Sequence, residues 1–527
     1  MKKFGTMLDC SRNAVLNIES IKKYIDILSK IGYNSLMLYT EDTYEVNNEP
    51  MFGYLRGRYS KEELKEIDSY AKSKNIELIP CIQTLAHLNA IFRWPEYASI
   101  NDVNDILLVD EPKTYQLIDN MFATLSECFN SRNVNIGMDE AHMLGRGNYL
   151  SIHGYHERIE LLLRHLNKVN EIAKKYGFTI MMWSDMFYRI ASNGDYYAID
   201  NVTIDDKVKN LVPQGIKLIY WDYYHHDKNF YDKMIQSHKE FNNEICFAGG
   251  IWTWMGFAPN NHYGMTVSKP AMTSCKENNI EEVYITQWKD NGGECSFFAA
   301  LPALFYAKCI YEGITHIKEI KDKFYEKFSV KWDDFMKFDL LNRLDLNDKR
   351  LLNPSKYMIY NDPFLGIFDY TIKGNESKIY AKYSSMIKRC KSRLNEYSYL
   401  AQYYASLAKV LSYKYDLGYK TRIAYQNKQD LKEVIIQYTN AIKALKEFIK
   451  YFRVAWFKEN KPHGFDVEEI RLGGLLLRLE SCRERLIAYQ QGKIDKIEEL
   501  EEKLESLGNN EPIEFNSYQL NSTVNNI

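Results

Sequence analysis

No run of about 18 apolar residues occurs in this chain, so no ordinary membrane-spanning helix is expected. There is no CxxC pair either, and the nine cysteines are scattered singly along 527 residues. The N-terminus, MKKFGTMLDCSRN, offers too few apolar residues before Asp9 to serve as a signal peptide. An odd cysteine count without a secretion signal points to reduced thiols, and a cytoplasmic location is expected. Neither sign of charge dominates. Lys and Arg number 68 against 70 Asp and Glu, a net charge of −2, so neither nucleic acid nor a membrane surface is an expected partner. Proline thins out along the chain: of twelve, only Pro462 and Pro512 follow Pro363.

What is present is a series of short β-rich runs over the first 315 or so residues. They are 5–11, 35–42, 77–84, 133–140, 179–186, 217–224, 244–250 and 282–290. Amphipathic stretches separate them. In 18–32, Ile21, Ile25, Leu28 and Ile31 share one helical face, and 60–75 opens on a capping-box pattern, Ser60 with Glu63. Eight strands, each followed by a helix or long connection, predict a (β/α)₈ TIM barrel over 1–315. A doubly wound open sheet is the competing topology, but the Gly-rich phosphate loop that usually follows its first strand is missing. From 316 to 527 the period becomes helical, over 373–413, 428–452, 466–491 and 492–507, which predicts a separate α-helical domain. The polar tail beyond Leu507 is expected to fray.

In a barrel of this kind the chemistry sits at the C-terminal ends of the strands. Those ends carry Asp9, Ser11 and Arg12; Glu41 and Asp42; Gln83 and His87; and Asp139 with Glu140. Further on they carry Trp183 and Asp185, Trp221 to Tyr224, Trp252 and Trp254, and Trp288 with Asp290. A single buried carboxylate reads as a structural brace. Acids on several ends beside several tryptophans and one arginine describe a pocket for a neutral, hydroxyl-rich ligand, a sugar. A carboxylate-rich mouth is also suited to magnesium or calcium, but indoles crowd these acids and the histidines lack zinc spacing such as HExxH. No metal and no cofactor is therefore expected.

At this point the residues resemble a known family. NVNIGMDE (133–140) resembles the strand-4 signature of glycoside hydrolase family 20, the β-N-acetylhexosaminidases, with Met138 in place of its second glycine. LDCSRN resembles the strand-1 motif and maps the sugar-gripping arginine to Arg12. LYTED resembles the strand-2 acid motif and maps it to Asp42, while LAHLNA maps the family's histidine turn to His87. MMWSDM and LIYWDYY supply wall tryptophans Trp183 and Trp221, and QWKD supplies Trp288 and Asp290. The match spans roughly 5–313, and AWFKENKPHGFDVEEIRLGGLLLR (455–478) resembles a cytoplasmic branch with a helical C-terminal domain. Three features depart from the pattern. The family's barrel commonly follows an α/β domain, whereas this sequence opens almost at strand 1. Gln83 stands where an acid is usual beside the histidine. The strand-7 tyrosine that bonds the acetamido carbonyl is absent from AGGIWTW, leaving Tyr223 or Tyr224 as substitutes.

The resemblance implies an exo-acting, retaining, substrate-assisted reaction on terminal β-linked GlcNAc or GalNAc of small oligosaccharides. It assigns Glu140 as acid and base and Asp139 as the group that holds the acetamide. It also implies that Arg12, Asp42, His87 and Asp290 bind the sugar, with Trp183, Trp221, Tyr223, Trp254 and Trp288 as walls. Adjacent strand residues point to opposite faces, so both acids share one pocket only if the chain bends at Asp139; Gly137 would permit that. The rivals are another TIM-barrel N-acetylglycosidase, such as the family 84 type with two aspartates, and a non-catalytic sugar-binding or scaffold protein. The helical domain has three candidate tasks: bracing the barrel, forming a homodimer, or lending Trp456, Asn460 or Arg471 to the pocket rim.

Overall fold

The computed structural model describes residues 2–200, 203–505 and 510–525. Eight parallel strands close a barrel: β1 (Lys3–Asp9), β2 (Ser35–Tyr39), β3 (Glu77–Cys81), β4 (Asn133–Asn135), β5 (Thr179–Trp183), β6 (Lys217–Trp221), β7 (Glu244–Gly250) and β8 (Glu282–Gln287). Each strand pairs with its sequence neighbours, and β1 closes the ring against β8 from Lys3 opposite Glu282 to Leu8 opposite Gln287. The doubly wound alternative is thereby excluded. The sheet is thinnest between β3 and β4, which share only the Cys81–Asn135 pair.

Local sequence explains the crossings. The helix Ile18–Ile31 starts where the Asn17 side chain accepts from Ser20 N–H and stops at Gly32, whose φ of 83° lies in the left-handed region. The helix Lys61–Ser73 opens on the reciprocal Ser60–Glu63 capping box. At the N-terminal end of the barrel, Lys217 sits 2.6 Å from Glu282 and 3.1 Å from Glu244, with Lys3 3.4 Å from Glu282. That closed ionic plug leaves the opposite end for chemistry.

Beyond the last barrel helix (Leu301–Glu312) the chain is helical, with Glu376–Lys388, Ser398–Lys414, Lys432–Glu459 and Phe465–Gln490 as its longest helices. The expected helix at 492–507 shortens to Glu498–Glu501. Gly492 turns the chain with φ 68°, and Ile497 and Leu500 are buried singly rather than along a continuous stripe. Residues 506 and 507 of that segment lie outside the described residues.

The helical region grips the site end of the barrel. Phe257, from the loop after β7, packs on Phe448 and Phe452, and Glu459 accepts from Ser296 at 2.6 Å and Tyr399 at 2.7 Å. The tail does not fray over 510–525. Phe515 N–H donates to the fully buried Asn353 at 2.7 Å, Asn353 returns bonds to Phe515 and Asn516, and Asn291 donates to the Asn516 carbonyl. Polar composition misleads here because the tail's partners are buried amides.

Candidate active site

The strand runs read from the sequence overshoot the ladders at their C-terminal ends, and the surplus residues build the site. β4 stops at Asn135. Gly137 and Met138 then take φ of 72° and 68°, and Glu140 takes 52°. These left-handed turns break the alternation of a strand, so Asp139 and Glu140 line one cavity. A side chain at Gly137 would run into the Gln83 amide, so glycine is required there by both φ and space.

The cavity holds about 590 Å³. Arg12, His87, Asp139, Glu140, Trp183, Trp221, Tyr223, Trp254, Trp288 and Asp290 line it, together with Tyr39 and Tyr224. Asp42 does not. It is buried beneath the rim, where Arg56 Nε donates to it at 3.3 Å. The acid that meets Arg12 is its neighbour Glu41, with Nη1 to Oε1 at 2.5 Å. Strand parity is lost once β2 ends at Tyr39, and Glu41 then turns with φ 43°, so sequence pattern alone could not choose between the two acids.

Asp9 is a brace. It accepts from Ser11 N–H and Oγ at 2.9 and 2.7 Å and from Lys289 N–H at 2.9 Å, tying β1 to β8. Arg12 reaches out between Glu41 and Asp290, the latter at 3.7 Å. Asp290 keeps 45% of its side chain open yet is recessed in the mouth. Desolvation pushes its carboxyl up to about 6, Asp9 and Glu140 push the same way, and Arg12 opposes them.

The acid pair is held from three sides. Gln83, the departure from the family pattern, donates to Asp139 at 2.8 Å and accepts from Met138 N–H at 3.2 Å. His87 Nε2 lies 3.2 Å from Asp139 and 3.8 Å from Glu140. Burial alone would lower the His87 pKa, but the Asp139 carboxylate, with Glu41 behind it, pushes it up to about 10. Burial alone would raise the Asp139 carboxyl; the charge and hydrogen bonding of His87, with the Gln83 amide, hold it below its ordinary range instead. The result is a charged His87 beside an ionised Asp139.

The third side joins Asp185, one of the strand-end acids, to Arg189, which the sequence reading did not single out. Asp185, fully buried, accepts the Glu140 N–H at 3.1 Å and Arg189 Nε at 2.9 Å, and Arg189 Nη2 lies 3.3 Å from Glu140 Oε1. Burial pushes Asp185 up to about 7, the Asp139 charge adds to this, and Arg189 opposes it. The signal was an arginine one turn after an acid on the helix Asp185–Ala191, a common surface pattern.

Aromatic rings wall the rest. Trp221 stacks on Tyr223 at 5.3 Å, Tyr223 meets Trp254 edge-on at 5.6 Å, and Trp288 sits between Tyr39 at 4.8 Å and Trp183 at 6.2 Å. Gly250, at the end of β7, leaves room for Tyr223 and Trp254, both of which a Cβ would strike. Of the three rim candidates in the helical region, Trp456 is buried against Phe452 and Phe465 and donates to the Lys461 carbonyl, and Asn460 is buried against Leu16 in the loop after β1. Arg471 instead bonds Asn291, one residue past Asp290.

Comparison with known proteins decides the family. A model described as "Glycosyl hydrolase family 20, catalytic domain" matches residues 4–246, and one described as "Glycoside Hydrolase 20C C-terminal domain" matches 333–517. The chain belongs to glycoside hydrolase family 20. Among its relatives, human hexosaminidase D is 23% identical over 221 residues, 40% of this chain and 43% of that protein. The β-hexosaminidase of Vibrio furnissii is 25% identical over 262 residues, 41% of this chain and 42% of its own. The chain thus spans under half the length of these two relatives. A solved β-N-acetylhexosaminidase from Bacteroides fragilis superposes with a TM-score of 0.47 at 20% identity, covering 62% of this chain and 69% of its own.

Proposed function

We propose that this family 20 chain is an exo-acting β-N-acetylhexosaminidase that releases terminal β-linked GlcNAc or GalNAc from small oligosaccharides by a retaining, substrate-assisted reaction. The supporting observation is that Asp139 and Glu140 approach the same His87 nitrogen, at 3.2 and 3.8 Å, inside one indole-walled cavity. The glycosidic oxygen and the acetamide branch from neighbouring ring carbons, so one ring placed over this pair meets both acids.

In the first step the acetamido oxygen attacks C1 and the C1–O bond breaks. Glu140 gives its proton to the departing oxygen, and Asp139 accepts from the acetamido N–H, offsetting the charge of the oxazolinium. In the second step Glu140, now a carboxylate, takes a proton from water as the water attacks C1. The oxazolinium opens and the acetamide is restored. Two inversions leave the β configuration unchanged. In this reading Trp183, Trp221 and Trp288 shield the acetamido methyl, Tyr223 bonds its carbonyl, and Arg12 and Asp290 hold ring hydroxyls. An indole-walled cavity recessed at the strand ends suits one terminal sugar ring rather than an internal stretch of polymer. Nine free, buried cysteines accord with a cytoplasmic site of action.

Hydrolysis of p-nitrophenyl β-GlcNAc and β-GalNAc tests the activity. Inhibition by a thiazoline mimic of the oxazolinium separates substrate assistance from a covalent glycosyl-enzyme. Binding of these glycosides without turnover would reduce the protein to a sugar-binding module.

A further inference from the structure

The Asp290 carboxylate lines the cavity without a close partner. Among the described residues Arg12, at 3.7 Å, is its one ion-pair partner, and no hydrogen bond restrains it. A side chain held so loosely takes its direction from its backbone. On one side of Asp290 that backbone is tied to the barrel, where Lys289 N–H donates to Asp9 at 2.9 Å. On the other side it is tied to the helical region. The Asn291 carbonyl accepts from Lys356 Nζ at 3.0 Å and from Arg471 Nη1 at 3.2 Å, and Arg471 Nη2 donates to Asn291 Oδ1 at 2.9 Å. Lys356 stands on the helix Pro354–Tyr360 and Arg471 on Phe465–Gln490, so both grips come from outside the barrel.

Two glutamates hold these cations in place. Lys356 Nζ pairs with Glu294, from the same loop as Asp290, and Arg471 Nη1 lies 3.6 Å from Glu294 and 3.6 Å from Glu468, one helical turn before it. All four are buried, Glu468 completely, and neither Glu468 oxygen has a hydrogen-bond partner among the described residues. Gly292 fits beneath them with φ 115°, where a Cβ would strike Arg471, Glu294 and Glu468 at once. Such a cluster is a poor source of stability, because an apolar set of equal volume avoids the desolvation. What it supplies is direction: a guanidinium fork with both outer nitrogens spent on one loop residue. We propose that Arg471 and Lys356 are positioning residues for substrate binding, which aim the Asp290 carboxylate into the cavity through the Asn291 backbone. The inference rests on the proposed hydrolase reading, in which Asp290 holds a ring hydroxyl, and it gives the helical region a task at the site.

The test is a double-variant cycle on p-nitrophenyl β-GlcNAc hydrolysis, with wild type, Arg471→Met, Asp290→Asn and the pair. Arg471→Met is expected to raise KM about 10-fold with kcat within about threefold, because the acid pair follows β4, away from this loop. Added to Asp290→Asn, the same change is expected to raise KM by less than about twofold, since the carboxylate it aims is already gone. Arg471→Lys, which keeps a charged donor for the Asn291 carbonyl, is expected to recover part of the loss. Equal rises in KM with and without the Asp290 carboxylate would overturn the proposal, as would a loss carried by kcat. Should Arg471→Met fail to fold, Asn291→Ala removes the amide that the fork grips and is run through the same cycle, with the same two outcomes. If wild type cleaves no glycoside, the hydrolase reading fails, and the cycle is read in the Kd of N-acetylglucosamine by calorimetry. Coupling between the two positions then supports the proposal, whereas independent effects or no binding overturn it.

Discussion

Arg189 Nη2 lies 3.3 Å from Glu140 Oε1, while its Nε is held by the buried Asp185 at 2.9 Å. The guanidinium therefore fixes one carboxylate oxygen of the proposed acid and base, in a backbone turned to φ 52°. Arg189→Met should lower kcat by roughly 10- to 100-fold through misplacement of the carboxylate, with KM nearly unchanged. Arg189→Lys, which keeps a cation on the same helix, should recover part of the lost kcat. Equal losses in the two variants, carried by KM as much as by kcat, would make Arg189 merely structural.

Glu140→Gln should cost about 10²–10⁴-fold on a poor leaving group and less on an activated aryl leaving group. Steady-state rates on p-nitrophenyl and alkyl glycosides measure this. Equal loss on both would argue against proton donation by Glu140. Asp139→Asn should slow the glycosylation step without abolishing binding, and normal turnover would remove Asp139 from the mechanism.

Asp290, pushed up to about 6, is ionised above that pH and protonated below it. Its anion is the form that accepts hydrogen bonds from sugar hydroxyls, so KM should rise as pH falls through about 6. In Asp290→Asn the KM should be higher throughout and lose that acid-side rise. A wild-type KM that is flat from pH 5 to 7 would contradict this.

His87 illustrates the opposite sign. Its folded-state pKa of about 10 exceeds the ordinary 6.5, so its charge contributes stability fully below 6.5, and that contribution is lost as pH rises through about 10. The thermal midpoint of the wild type should fall more steeply between pH 8 and 10.5 than that of His87→Phe. Parallel curves would show that the His87–Asp139 contact adds nothing.

Gly137→Ala forces a Cβ into the Gln83 amide at φ 72°. About 1–3 kcal/mol of stability should be lost, with activity falling further because Gln83 then releases Asp139. Urea unfolding together with turnover checks both effects.

Read from residues alone, the eight β-rich runs, their capped crossing helices and the change to a helical period near 316 are legible. They rest on local signals: alternation, capping boxes and the stripe of Ile21, Ile25, Leu28 and Ile31. The polar strand ends were legible as a group for the same reason, since a closed parallel barrel presents all its C-terminal ends to one mouth. What only the tertiary structure decided begins where the ladders stop. Past Tyr39 and Asn135 the backbone enters left-handed turns, parity fails, and Glu41 replaces Asp42 while Asp139 and Glu140 come to share a cavity. The hold of Arg189 on Glu140, and the clamp of Arg471 and the C-terminal tail on the loop after Asp290, join residues distant in sequence. No periodicity encodes such contacts, because they depend on how separate elements pack and not on the preferences of any one of them.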